Sequence, residues 1–99
     1  MPMGEKRVYD LSLVINDRQI TQVVIDSHYE IKHSETMNDD LILDLVCLLN
    51  NRNFEPEKIA GDFQYFKADP IILNGLSYRL IWVLEKNKIY VGVINAFRR

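Results

Sequence analysis

The strongest constraint on this chain sits in its last third, where apolar and polar residues alternate through two runs, 78–85 and 89–97, joined by a short polar turn. A period of two sends successive side chains to opposite faces of a strand, so the runs predict a hairpin with one face to bury. With Lys86-Asn87 as a two-residue turn, Glu85 faces Lys88, Leu84 faces Ile89, Trp82 faces Val91 and Leu80 faces Val93. One face then carries Tyr78, Leu80, Trp82, Leu84, Ile89, Val91, Val93 and Phe97 and demands a cover. The opposite face carries Ser77, Arg79, Ile81, Val83, Tyr90, Gly92, Ile94, Ala96 and Arg98, a mixed surface with two guanidiniums and a phenol. A third strand over 62–67 pairs with 77–85 through the Asn74-Gly75 turn. Asp69-Pro70 predicts a bulge or break in it, because proline offers no donor to the ladder, and the pattern leaves the facing of 62–73 open.

The cover is expected from the middle of the chain. Asn38, Asp39 and Asp40 supply a cap and negative charge where a helix exposes its first amides, and this predicts a helix over 38–51. Its apolar residues take up nearly every angle, leaving only Asp40, Asp44, Cys47 and Asn51 as a polar stripe. Such a helix packs across a sheet, with Leu41, Leu45, Leu48 and Leu49 against Leu80, Trp82, Leu84, Val91 and Val93. Cys47 reads as a small buried hydrophobe rather than a nucleophile. Before the helix, 8–15 alternates with Tyr9, Leu11, Leu13 and Ile15 on one side, turn residues stand at Asn16-Asp17-Arg18, and 20–26 carries a β-branched run, so an N-terminal hairpin is expected. Pro2 and Gly4 mark a flexible leader over 1–7, and 8–99 reads as one α+β domain.

At 99 residues the chain is of single-domain size, and 47% hydrophobic with 26% charged residues is a folding composition. A net charge of −2 with a pI near 5.6 excludes the overall basic footprint of a nucleic-acid-binding domain, so no DNA partner is predicted and any RNA contact is local. A single cysteine excludes an internal disulfide and fits a reducing cytoplasm, and no apolar run reaches the length of a membrane span.

The chemistry-bearing residues are few. His28 and His33 stand five apart, not at the i, i+4 spacing that lets two imidazoles on a helix share a metal, so neither a metal nor a cofactor is expected. Each imidazole reads either as a capping and packing residue or as a general acid or base. Arg79 and Arg98, with Tyr90 and Ser77, form the one basic and aromatic constellation placed by register, read either as a phosphate-binding face or as solvated arginines paired with carboxylates such as Glu85. Gly92 leaves a gap opposite Ile81 that admits a ligand or marks a twist of the sheet, and Asp40 with Asp44 reads as a solvated stripe.

The segment from Tyr78-Arg79 to Glu85, its turn, and Ile89-Tyr90 to Arg98-Arg99 resembles the C-terminal hairpin of RelE/ParE-like bacterial toxins. His28-Tyr29-Glu30-Ile31-Lys32-His33 before a helix is similar to a histidine-bearing subgroup of small RelE-like domains, so the resemblance runs over about 26–99. It implies a RelE-like helix-on-sheet fold: an N-terminal β-hairpin, one main buried helix and a C-terminal three-stranded antiparallel sheet. It also implies a toxin-like, metal-independent endoribonuclease, with RNA or the ribosome as substrate and an antitoxin as partner. In that reading Arg79 and Arg98 hold the scissile phosphate, His28 or Tyr90 takes the 2′-hydroxyl proton, and Lys67, His33 and Arg99 add substrate contacts. The rival expectation is a non-enzymatic protein-interaction or regulatory domain on a toxin-like fold, supported by the acidic pI and the dense apolar content. A concave positive site around Arg79 and Arg98 favours the enzyme. A flat, apolar or carboxylate-neutralised face favours the binder.

Overall fold

The computed structural model describes residues 5–99. Strands β1 (Lys6–Ile15) and β2 (Arg18–Asp26) form the N-terminal hairpin, and Asn16 and Asp17, at φ 54° and 60°, supply the two left-handed positions that match a tight turn to strand twist. A 3-10 turn at Ser27–Tyr29 leads into the short helix α1 (Glu30–His33), and helix α2 spans Asp39–Cys47. Then come β3 (Lys58–Ala60), β4 (Phe63–Leu73), β5 (Leu76–Glu85) and β6 (Tyr90–Arg98). The first strand begins at Lys6, so Lys6 and Arg7 belong to the sheet and not to a leader; residues 1–4 of that expected leader lie outside the described residues.

The expected separation into an N-terminal hairpin and a three-stranded C-terminal sheet is wrong. All strands join one six-stranded mixed sheet in the order β1-β2-β6-β5-β4-β3. The join is a parallel pairing of β2 with β6, from Gln22 opposite Tyr90 to Ile25 opposite Val93. Each of these strands needs cover for the same apolar side, Val23 and Ile25 on one and Val91 and Val93 on the other, and each has a free edge. Side-by-side pairing satisfies both edges and makes one continuous apolar face under α2. Short β3 extends the far edge by pairing with Phe63–Tyr65 of β4.

Most of the core is as the alternation predicts, Ile89 and Phe97 excepted. Leu80, Trp82, Leu84, Val91 and Val93 are buried together with Ile42, Leu45, Val46 and Leu49 of the helical segment, while Leu41 and Leu48 are half-buried beside them. Trp82 lies at the centre, stacked on Phe66 at 5.3 Å and met edge-on by Phe54 at 5.0 Å. Such pairs add about 0.5–1.5 kcal/mol each beyond area burial. The helix is shorter than expected: Asn38 caps it by accepting from Leu41 N at 2.8 Å, and after Cys47 the chain turns to bond β1, with Asn51 N–H donating to Val14 O at 2.7 Å. Cys47 is exposed, not buried, because the stripe facing the sheet is Ile42, Leu45, Val46 and Leu49 and the thiol falls on the opposite side with Asp40 and Asp44.

Asp39, in the first turn of α2, fixes the helix to the sheet. Its carboxylate accepts from Arg7 Nε at 2.6 Å and Nη2 at 2.8 Å, from Tyr29 Oη at 2.8 Å, and from Tyr9 Oη. The Arg7 guanidinium chiefly holds this carboxyl down to about 2, against the upward push of burial. Burial, reinforced by the bond to Asp39, raises Tyr29 well above the ordinary phenol range. Arg7 and Tyr9 stand two apart on the inner face of β1, where the alternation calls for apolar residues, and Asp39 is what completes them.

Candidate interaction face

Among the described residues no element covers the face of the sheet away from α2, and its pairing lays side chains out in rows across the strands. The central row runs Val8, Val24, Gly92, Val83, Tyr65 and Lys58, each opposite the next. On one side of it lie Asp10, Gln22, Tyr90, Glu85 and Phe63; on the other, Lys6, Asp26, Ile94, Ile81 and Lys67. The middle is an apolar groove of about 510 Å3 lined by Val24, Phe63, Tyr65, Val83, Tyr90, Gly92 and Ile94, with Lys6 and Asp26 at one end. Gly92 lies low in it because its neighbours lean over the strand: a Cβ there would stand 2.9 Å from Val83 Cγ2 and 3.4 Å from Tyr90 Cε2. The glycine therefore sits opposite Val83, not Ile81, and its empty space is taken by Val83 and the Tyr90 ring.

The reason is a shift of register. Four residues, Lys86 to Ile89, connect β5 to β6, and the β-turn closed by Lys88 N–H to Glu85 O at 3.1 Å lies within them, so Leu84 lies opposite Val91 and Trp82 opposite Val93. A slip of two preserves which face each residue takes, although it leaves Ile89, expected in the core, exposed in the turn. Farther along, a bulge gives β6 one extra residue between Val93 and Asn95 and inverts the facing of the residues beyond it. Ala96 is buried opposite Leu80, Phe97 lies opposite Arg79, and Arg98 lies opposite buried Tyr78. Phe97 therefore leaves the helix-covered face, and Arg79 and Arg98 point to opposite faces of the sheet.

The expected phosphate constellation is thus not assembled. Arg79 donates to Asp69 Oδ2 from Nε at 2.7 Å, Arg99 donates to the same oxygen at 2.8 Å, and the Arg79 guanidinium lies 5.2 Å from the centre of the Phe97 ring. Asp69 reaches Arg79 because β4 bulges between Ala68 and Ile71, the irregularity expected at Asp69-Pro70. His33 stacks on Phe97 at 4.9 Å, so His33, Arg79, Arg99 and Asp69 gather at one end of the face. Tyr90 is seven residues up β6 from Phe97, roughly 20 Å along an extended strand. Its hydroxyl donates to Glu85 Oε1 at 2.5 Å, and burial together with that carboxylate pushes its pKa up to about 12. Lys67 is 3.6 Å from Glu57 on the exposed surface, and half-buried His28 gives its backbone N–H to Asp26 Oδ1 at 2.8 Å, starting the 3-10 turn. Among the described residues Arg98 makes no ion pair.

Sequence reasoning missed two things here. Phe63 and Tyr65 line the groove, yet Phe66 beside them is a core residue, so a strand apolar on both sides gives no facing by period alone. The Arg7–Asp39 cluster left a trace in the polar positions Arg7 and Tyr9 on an otherwise apolar inner face. Among the described residues no group of three or more His, Cys, Asp or Glu is placed to hold a metal ion, and no helix is long and apolar enough to cross a membrane. No family model, curated protein or solved structure matches the chain.

Proposed function

We propose that this chain is a non-catalytic interaction domain that binds a protein partner through the uncovered face of its sheet. The observation that supports the reading is the apolar row across that face, with a groove of about 510 Å3 at its centre and charged groups along its sides. An apolar band rimmed by polar residues is the ordinary form of a protein-binding surface. The ribonuclease reading draws no support from the arrangement: Arg79 shares the Asp69 carboxylate with Arg99, Arg98 lies on the other face, and Tyr90, bonded to Glu85, is at a distance from both.

Two measurements test the reading. An apolar-surface dye should fluoresce with the folded chain, and Val24→Lys should quench that signal without lowering the melting temperature; a large loss of stability would make the face a part of the core. Incubation with free and ribosome-engaged RNA in EDTA should leave the RNA intact. Cleavage that disappears in Arg79→Ala would replace the interaction reading with the enzymatic one.

A further inference from the structure

We infer that the open half of the β1 edge pairs with the same strand of a second copy, antiparallel and centred on Val8, so that two sheets join into one. This goes beyond the reading of the bare face and does not rest on it. The two edges of the sheet are built differently. At the far edge β3 covers only Phe63–Tyr65 of β4, and beyond it a bulge and Pro70, which has no N–H to give, interrupt the ladder. The second half of the β1 edge is covered by the chain itself: Val14 N–H donates to Asn50 Oδ1 at 2.8 Å, Asn51 N–H to Val14 O at 2.7 Å and Asn16 N–H to Arg52 O at 3.0 Å. Its first half has no such cover. Ser27 N–H donates to Glu5 O at 2.8 Å, and the ladder alternates from there, so Arg7 and Tyr9 bond β2 while Lys6, Val8 and Asp10 turn their N–H and C=O groups outward. Among the described residues no backbone group bonds them on that side.

The side chains on this half select the strand that fits. Centred on Val8, the pairing engages all the outward-turned residues in about six backbone hydrogen bonds. It sets Lys6 opposite the partner's Asp10, Arg7 opposite the partner's Tyr9 and Val8, 57% exposed in one copy, against the partner's Val8. Asp10 is exposed and makes no ion pair among the described residues. Lys6 reaches Asp26 at 3.2 Å, but its side chain stays 49% exposed and its ammonium has further donors, so it can bridge both carboxylates. The neighbouring registers are poorer: one centred on Arg7 sets two guanidiniums together, and one centred on Tyr9 sets Asp10 against the partner's Val8. Charges on an edge keep foreign strands away, and here they match only their own copy in one register. The two-fold axis stands perpendicular to the sheet, so both copies of α2 lie on one side and the bare faces run together on the other.

Sedimentation equilibrium of the full chain from about 1 to 500 μM tests this, since a contact one strand wide is small and its affinity is expected on the order of 10–100 μM. The mass should rise from 11.6 kDa toward twice that value. Val8→Pro removes an outward N–H that the β1–β2 ladder does not use, so the chain should keep its fold by circular dichroism and stay monomeric. Asp10→Lys, at an exposed position, sets lysine against the partner's Lys6 twice and should weaken association about tenfold. Lys6→Glu should do the same, and mixing the two variants should restore association, because each supplies the charge that the other lacks. Asp62→Lys, exposed in the turn between β3 and β4, should leave association unchanged. A wild-type monomer at every concentration overturns the inference and leaves the face to its dye and RNA tests. A dimer that survives Val8→Pro overturns the edge, and a mixture no stronger than its components overturns the Val8 register.

Discussion

Helix α2 covers one face of the sheet, and among the described residues no helix covers the other, although both faces are apolar at their centres. On the covered face the large side chains interlock: Trp82, Phe66, Leu80 and Leu84 are essentially without exposure. On the bare face the central residues are Val24, Gly92, Val83 and Tyr65, smaller or only half-buried. The difference separates what holds the fold from what the fold presents. A side chain contributes to stability by losing water on folding, and those that stay half-wet keep most of their burial in reserve for association.

Substitution at the centre of each face breaks or sharpens that contrast. Trp82→Ala empties the middle of the covered face and should cost about 3–5 kcal/mol, whereas Tyr65→Ala on the bare face should cost less than about 1 kcal/mol, read by urea unfolding. Equal losses would erase the distinction. Next in size is the tie between helix and sheet. Asp39→Asn removes the carboxylate shared by Arg7, Tyr9 and Tyr29, leaving Arg7 only the longer pair with Glu30 at 3.5 Å, and should cost about 1–3 kcal/mol. The pH dependence has a definite sign. Because the folded chain holds this carboxyl at about 2, below its ordinary 3.8, its contribution is present above pH 4 and is lost as pH falls toward 2. Thermal melts between pH 5 and pH 2 should show the wild type losing more stability than Asp39→Asn.

Gly92→Ala tests the bare face itself, since the added Cβ stands 2.9 Å from Val83 Cγ2. A loss of about 1–3 kcal/mol is expected, and Val83→Ala in the same chain should restore part of it. Failure of that rescue would place the crowding elsewhere. The smallest effect belongs to Arg79→Ala. Asp69 keeps Arg99 as a partner, so the loss should be about 1 kcal/mol or less in a denaturant titration.

How much of this was legible depends on the range of each interaction. Alternation in β5 and β6 predicted the burial of Trp82, Leu80, Val91 and Val93, because facing is a local property and survived a register slip of two. The bulge beyond Val93 leaves no compositional mark, so Ala96, Phe97 and Arg98 take the faces opposite to those the alternation predicts, and Arg98 parts from Arg79. Parallel pairing of β2 with β6 was invisible for another reason: edges seek partners by geometry that neither strand encodes alone. Asp39 was legible as a helix-start charge, but its three partners come from β1 and the 3-10 turn, and only the assembled fold brings them to one carboxylate.

The union of β2 with β6 also orders events during synthesis. β2 is made before β6 and is separated from it by α1, α2 and β3 to β5, so a nascent chain carries an unpaired inner edge until those elements have been made. Closing so long a loop is entropically slow and cannot begin until β6 has emerged. The local hairpins, β1 with β2 and β4 with β5, can form beforehand, each with an apolar side exposed. The nine residues of β6 then act as a keystone, and until they insert, the halves of the molecule are two open sheets whose edges are free to pair with other chains.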